Sequence, residues 1–248
     1  MAVYRTKGAW GAGAGAGGRA MTRSIYRIRL RDDVQRTPAF WRSVRNPYDV
    51  HGMVWRIFSD GARKDRDFIY RLEMQESSPV IYAVSTADPV DLDGIWAIEQ
   101  KEYSPVLRTG QRLGFSLRAN PIRAKRNEEG KQKRCDVVMD AKTVLKESGC
   151  SPDAMPSQPV LVQKEGFSWL ASRGEAAGFA VDEGMVRAEG YRQHRFKKPR
   201  GKNWISISTI DFTGVLTVTD PDRFEEALYG GIGPAKSFGC GLVLIRPV

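Results

Sequence analysis

The chain has 248 residues, a formal charge of +10 and a pI of about 9.6. That length suits one large domain or two small ones with an adequate core, and that charge favours a polyanionic partner. Cys135, Cys150 and Cys240 cannot all pair and lack metal-ligand spacing, two histidines argue against a zinc site, and no apolar run approaches the roughly 18 residues that cross a bilayer; the expectation is a reduced, cytoplasmic protein with no membrane segment and no metal or small-molecule cofactor.

Residues 1–20 include the run Gly11-Ala12-Gly13-Ala14-Gly15-Ala16-Gly17-Gly18, which cannot pack a core and lacks the apolar stretch of a signal peptide. It reads as a flexible extension, with the fold starting at Met21. Ser24 to Arg31 alternates, Tyr26, Ile28 and Leu30 on one side and Ile25, Arg27, Arg29 and Arg31 on the other, which predicts a strand with one apolar face. A polar, irregular connection leads to Asn46-Pro47-Tyr48-Asp49. Asparagine as N-cap, proline at the first helical position and an aspartate in the first turn predict a helix running to about Ser59. Val50, Met53, Val54, Ile57 and Phe58 form its buried stripe, while Tyr48, His51 and Trp55 lie along a more open edge.

Phe68–Met74 and Val80–Ser85 read as strands joined near Gln75–Pro79, and Ile95–Glu102 is a further apolar segment. The order β-α-β-β with a less clear second helix suits a ferredoxin-like half, 21–103. A second round, 104–248, opens with a strand at Leu113–Arg118, a basic connection over Ala119–Lys133 and a returning strand at Cys135–Met139. Helical spacing over Val160–Ala177, strands at Phe179–Tyr191 and Trp204–Val218, a short helix over Pro221–Leu228 and a final apolar run at Leu242–Ile245 complete it. The predicted class is α+β, two tandem ferredoxin-like β-α-β-β-α-β domains with a C-terminal glycine-rich loop. The excess charge falls in two places: residues 118–134 hold seven Lys/Arg against two Glu, and 187–202 hold seven against one. Such concentration is what a nucleic-acid footprint requires, the bland alternative being two solvated loops.

Five of the twelve residues in Gly230-Gly231-Ile232-Gly233-Pro234-Ala235-Lys236-Ser237-Phe238-Gly239-Cys240-Gly241 are glycine. Backbone N–H groups freed of Cβ atoms form a concavity suited to an anion, with Lys236 adding charge and Ser237 a hydroxyl. A P-loop is excluded, because Ala235 stands where glycine should precede the lysine and because the order here is helix, loop, strand. Nucleotide hydrolysis is set aside with it.

This loop and the short apolar stretch after it resemble the signature of the CasE family, the repeat-RNA endoribonucleases of CRISPR Cascade systems. Two more segments carry the resemblance. Tyr48-Asp49-Val50-His51, with Trp55 four residues on, is similar to the family's Tyr-x-x-His on the first helix. Phe115-Ser116-Leu117-Arg118-Ala119-Asn120-Pro121-Ile122 and Lys133-Arg134-Cys135 are similar to segments that flank a basic hairpin engaging the repeat stem-loop. By itself His51 reads as a structural hydrogen-bonder. The resemblance implies that His51 is catalytic and that Tyr48 assists. It also implies RNA contacts by Arg118, Arg123, Lys125, Arg126, Lys131, Lys133 and Arg134 and by the loop residues Gly231, Gly233, Lys236 and Ser237. His194 matches no motif and reads as exposed.

These features share one chemistry. A ribose 2′-OH attacks its own 3′ phosphorus, histidine moves a proton near neutrality, and main-chain N–H groups and Lys236 bear the developing charge. The implied activity is metal-independent cleavage of CRISPR precursor RNA within its repeat. It leaves a 2′,3′-cyclic phosphate and a 5′-OH, and the protein stays on its product with other Cascade subunits. The competing reading is a non-catalytic RNA-binding subunit on the same fold.

Overall fold

The computed structural model describes residues 11–12, 23–34, 37–58, 66–75, 78–126, 130–197 and 204–248. Most of the Gly/Ala-rich extension, the Met21 start, the predicted helix end at Ser59, part of the turn near Gln75–Pro79, the hairpin tip 127–129 and the loop 198–203 lie outside the described residues.

Two antiparallel sheets carry the structure. The first has the order β1-β5-β2-β4-β3, from β1 (Gly11–Ala12), β2 (Ser24–Leu30), β3 (Phe68–Gln75), β4 (Ser78–Ser85) and β5 (Trp96–Glu102). The second has the order β11-β6-β10-β9, from β6 (Arg112–Ala119), β9 (Phe179–Lys197), β10 (Trp204–Val218) and β11 (Val243–Pro247). Leaving β1 aside, each sheet places its fourth strand beside its first and its third beside its second, the ferredoxin-like arrangement. A separate ribbon pairs β7 (Ile122–Arg126) with β8 (Gln132–Asp136). The helices are α1 (Pro38–Arg45), α2 (Pro47–Phe58), α3 (Val137–Glu147), α4 (Gln158–Ala176) and α5 (Pro221–Gly230).

The alternation of β2 is as expected: Tyr26, Ile28 and Leu30 are buried against α2. Strand β4 is apolar from Pro79 to Val84 and buried on both faces because both are covered. Ile81 and Ala83 pack in the α2 core, whereas Val80, Tyr82 and Val84 join Ile69 in the core of the C-terminal sheet. That shared core fixes the two halves against each other. Polar ties reinforce it: Arg118 Nη1 donates to the Leu72 carbonyl at 3.0 Å, Arg71 Nη1 to Ser116 Oγ at 2.8 Å, and the Tyr229 hydroxyl to the Tyr103 carbonyl at 3.0 Å.

Several local expectations need correction. The irregular connection before Asn46 contains α1, capped by Thr37 Oγ1 accepting from the Phe40 N–H at 3.2 Å; threonine followed by Pro38 is a start signal of the same kind as Asn46-Pro47. The returning strand at Cys135–Met139 stops at Asp136, whose carboxylate accepts from Val138 and Met139 N–H and starts α3. Strand β9 runs on to Lys197, so His194 belongs to a strand rather than a loop. Between β4 and β5, where the ferredoxin-like pattern would place a second helix, residues 86–95 form an irregular connection. Gly11 and Ala12 pair with Gln100 and Glu99 at the edge of β5.

Candidate active site

The site is assembled where α2 and β3 of the first half meet the glycine-rich loop of the second. Asn46 Oδ1 accepts from the Tyr48 N–H at 3.0 Å, and the Asn46 carbonyl accepts from Val50 N–H at 3.0 Å. This start fixes the first turn of α2. Burial of Val50, Val54, Ile57 and Phe58 then sets the rotation of the helix, leaving Tyr48, His51 and Trp55 half-buried along its flank.

The loop is held from both ends. Ile232 N–H donates to the Gly241 carbonyl at 2.9 Å and Gly241 N–H to the Arg118 carbonyl at 2.7 Å, which closes its base onto β6. Gly231, with φ at 75°, has Ile69 Cδ1 of β3 where a Cβ would stand. At the tip, the buried Tyr70 hydroxyl donates to the Ser237 carbonyl at 2.9 Å and Arg66 Nη1 donates to Ser237 Oγ at 2.9 Å. The Phe238 ring wedges between the halves, its centroid 6.0 Å from His51 and 5.1 Å from Phe196 of β9. Trp55 closes the other side of His51 at 5.9 Å. The expected cradle of free N–H groups is only partial, since those of Gly231, Ile232, Phe238, Gly239 and Gly241 already donate to main-chain carbonyls. Those of Lys236 and Ser237, opening the turn at 236–238, take no main-chain acceptor among the described residues.

His51, Arg66 and Lys236 thus converge, and their electrostatics follow. Burial, and then the positive charge of Arg66, hold the His51 imidazole below its ordinary pKa, with a Ser237 main-chain contact opposing them. Its Nδ1 is buried and makes no hydrogen bond of good geometry among the described residues. Lys236 is likewise lowered by burial and by Arg66. No carboxylate pairs with Arg66 or Lys236 among the described residues. Half-buried cations without a counter-charge are costly, and an anion is what relieves them.

The remaining predicted residues divide by their partners. Arg118 is committed, bidentate to Asp211 at 2.7 and 2.8 Å besides its bond to Leu72. On the β7–β8 ribbon, Arg123 donates to Glu165 at 3.1 Å and Lys125 to Asp140 at 2.6 Å. Arg126, Lys131, Lys133 and Arg134 are exposed, and Lys133 lies directly opposite Lys125. Gly233 packs against Trp169 of α4. His194 is half-buried, not exposed, with Nε2 3.3 Å from Thr209 Oγ1. It lines a cleft of about 700 Å³ between the halves together with Trp41, Arg45, Arg192 and Phe238.

Arg66, Tyr70 and Phe196 had no role in the sequence reading. Arg66 sits in a mixed-charge stretch that looks like any solvated connection, Tyr70 and Phe196 look like strand core, and Phe238 is one apolar residue in a loop judged by its glycines. Nothing in their spacing brings them to Ser237 and His51; the fold does.

A family model described as CRISPR associated protein matches residues 25–247. The CRISPR system Cascade subunit CasE of Escherichia coli strain K12 is 28% identical over 213 residues, 82% of this chain and 94% of that protein. The CRISPR-associated endoribonuclease Cse3 of Thermus thermophilus is 28% identical over 221 residues, 83% of this chain and 92% of that protein. Thermus thermophilus Cse3 bound to an RNA representing a pre-cleavage complex has a similar structure, with a TM-score of 0.64 and 26% identity over 91% of this chain and 100% of that one.

Proposed function

The chain belongs to the CRISPR-associated protein family, and we propose that it is an endoribonuclease that cuts CRISPR precursor RNA within the repeat and remains on the product as a Cascade subunit in the cytoplasm. The relatives' names support the activity and the RNA. The observation that carries the reading is the meeting of a neutral-leaning histidine with two half-buried cations that have no carboxylate partner among the described residues. Proton transfer and stabilisation of an anionic phosphorane need that combination.

His51 takes the proton of the attacking 2′-OH, or returns one to the 5′ oxygen that leaves. Tyr48, one turn earlier on the same flank, orients the phosphate through its hydroxyl. Arg66 and Lys236, with the N–H groups opening the turn at Lys236, bear the charge on the phosphorane oxygens. No step calls for a metal ion, because the nucleophile is the substrate's own hydroxyl. The division of labour follows the chain: residues 21–103 bring the proton-transfer helix, while 104–248 bring the charge-stabilising loop and the basic ribbon. On that ribbon the exposed Arg126, Lys133 and Arg134 are the side chains that suit the RNA backbone, Lys125 being paired with Asp140. Arg118 supports the loop from below.

The test is incubation with repeat RNA of the host's own CRISPR array in excess EDTA, followed by end-group analysis. The proposal expects 2′,3′-cyclic phosphate and 5′-OH ends, a rate within a few-fold of that without EDTA, and no cleavage when the nucleotide upstream of the cut is 2′-deoxy. Cleavage that persists on the 2′-deoxy RNA refutes the mechanism.

A further inference from the structure

The far end of the β9–β10 hairpin bears an aromatic residue that neither the core nor the catalytic chemistry uses. Trp204 is 53% exposed, the Arg195 guanidinium carbon lies 4.8 Å from its ring centroid, and Lys197 Nζ lies 5.2 Å away. Strand geometry accounts for the grouping. Trp204 pairs with Lys197 and Ser206 with Arg195, so these four side chains share one face, and Ser206, Arg195 and Lys197 are all exposed. Neither Arg195 nor Lys197 has an ion pair among the described residues. The opposite face of the same strand carries His194 and the buried Phe196, whose ring meets Phe238 of the glycine-rich loop.

We propose that Trp204, with Arg195 and Lys197 beside it, is a stacking platform for one unpaired base of the bound RNA next to the cut, the two cations holding the flanking phosphates. The assignment rests on the RNA-processing reading above and adds a requirement to it: the substrate presents a single-stranded nucleotide beside its stem. Three features favour this occupant. An indole with an open surface stacks on any base, and cations over an aromatic ring strengthen it while attracting phosphate. The platform carries no acidic residue, so its charge complements a nucleic-acid backbone. The Phe196–Phe238 contact, one residue from Lys197, ties this end of the hairpin to the glycine-rich loop.

Binding of two uncleavable, 2′-deoxy repeat RNAs tests the assignment, one a bare stem-loop and one carrying its single-stranded flanks. Trp204→Ala should weaken the flanked RNA roughly 5- to 150-fold, the range for losing one stacked base, and leave the bare stem-loop within about twofold. Trp204→Phe should restore most of the difference. With 2-aminopurine placed at each flanking position in turn, one position should be quenched by the wild-type protein and by Trp204→Phe but not by Trp204→Ala. Equal effects on the two RNAs, or no quenching that depends on Trp204, would reduce the cluster to a brace for the hairpin and overturn the proposal. Failure of the wild-type protein to bind even the bare stem-loop would refute the RNA-processing reading and the platform with it.

Discussion

Replacing Gly231 with alanine tests whether the glycine-rich loop depends on its seat against β3. Gly231 ends α5 with φ at 75°, and its N–H donates to the Ala227 carbonyl at 2.8 Å. An added Cβ would collide with Ile69 Cδ1 and stand 3.1 Å from the Gly241 carbonyl oxygen. With ψ at 161° this is an extended positive-φ conformation essentially reserved for glycine, costing a residue with a Cβ about 1–3 kcal/mol, and overpacking a buried interface adds about 1–3 kcal/mol. The expected total is roughly 2–6 kcal/mol, which for a chain of this size lowers the melting temperature by roughly 4–24 °C. Ile69 precedes Tyr70, which holds Ser237, so relief of the collision moves the loop away from His51 and Arg66. A displacement of this kind slows a positioned reaction by about 10²-fold. If the basic ribbon supplies most of the RNA affinity, that affinity should stay within a few-fold. Neighbouring Gly230 is the internal control. It is helical, a Cβ there meets nothing within 4 Å, and Gly230→Ala should melt at or slightly above the wild-type temperature. Thermal unfolding and single-turnover cleavage read both variants. A Gly231→Ala protein that melts with the wild type and cuts at its rate would refute the seating of the loop.

Arg66→Gln keeps a donor for Ser237 but removes the positive charge that disfavours the His51 imidazolium. The acid limb of the pH profile of single-turnover kcat/KM, expected below pH 6.5 in the wild type, should therefore move to higher pH, and the plateau should fall roughly 10²–10³-fold through lost charge stabilisation; a limb that stays in place contradicts the coupling. Tyr70→Phe deletes the donor to the Ser237 carbonyl from a fully buried site, so thermal melts should show a loss of about 1–2 kcal/mol, with slower cleavage and unchanged RNA affinity. Glutamine at Arg126, Lys133 or Arg134, exposed on the ribbon, should each flatten the log–log salt dependence of RNA binding by roughly 0.7–0.9, and Arg123 and Lys125, already paired with Glu165 and Asp140, should change the slope less.

Legibility in the sequence followed the range of the interactions. Local signals were readable: Asn46-Pro47 starting α2, the alternation of β2, the apolar stripe of α2 and the density of glycine before β11. Capping misled where the signal was present but unread, as at Thr37-Pro38 and at Asp136, which turns a predicted strand into the start of α3. Two of the motif-bearing segments, the glycine-rich loop and Tyr48–His51, proved to be neighbours, since the loop packs on α2 through Phe238 and His51. Arg66 and Tyr70 were not legible, because their function comes from a hydrogen bond to a residue 171 or 167 positions away. Periodicity also cannot tell a cation bonded to Asp211 from one left for a ligand. Arg118 and Arg126 look alike in the sequence, and among the described residues the fold gives only the first a carboxylate partner.

The most direct test of the central claim is a paired measurement on His51→Ala, its single-turnover cleavage rate on repeat RNA and its affinity for the same RNA made uncleavable by a 2′-deoxy nucleotide. His51 is only half-buried and lies off the apolar stripe of α2, so the variant should fold. The account predicts a rate lower by at least about 10²–10⁴-fold, the contribution of a positioned proton-transfer group, with affinity within a few-fold of wild type. Near-normal cleavage, or equal losses of cleavage and binding, would contradict it.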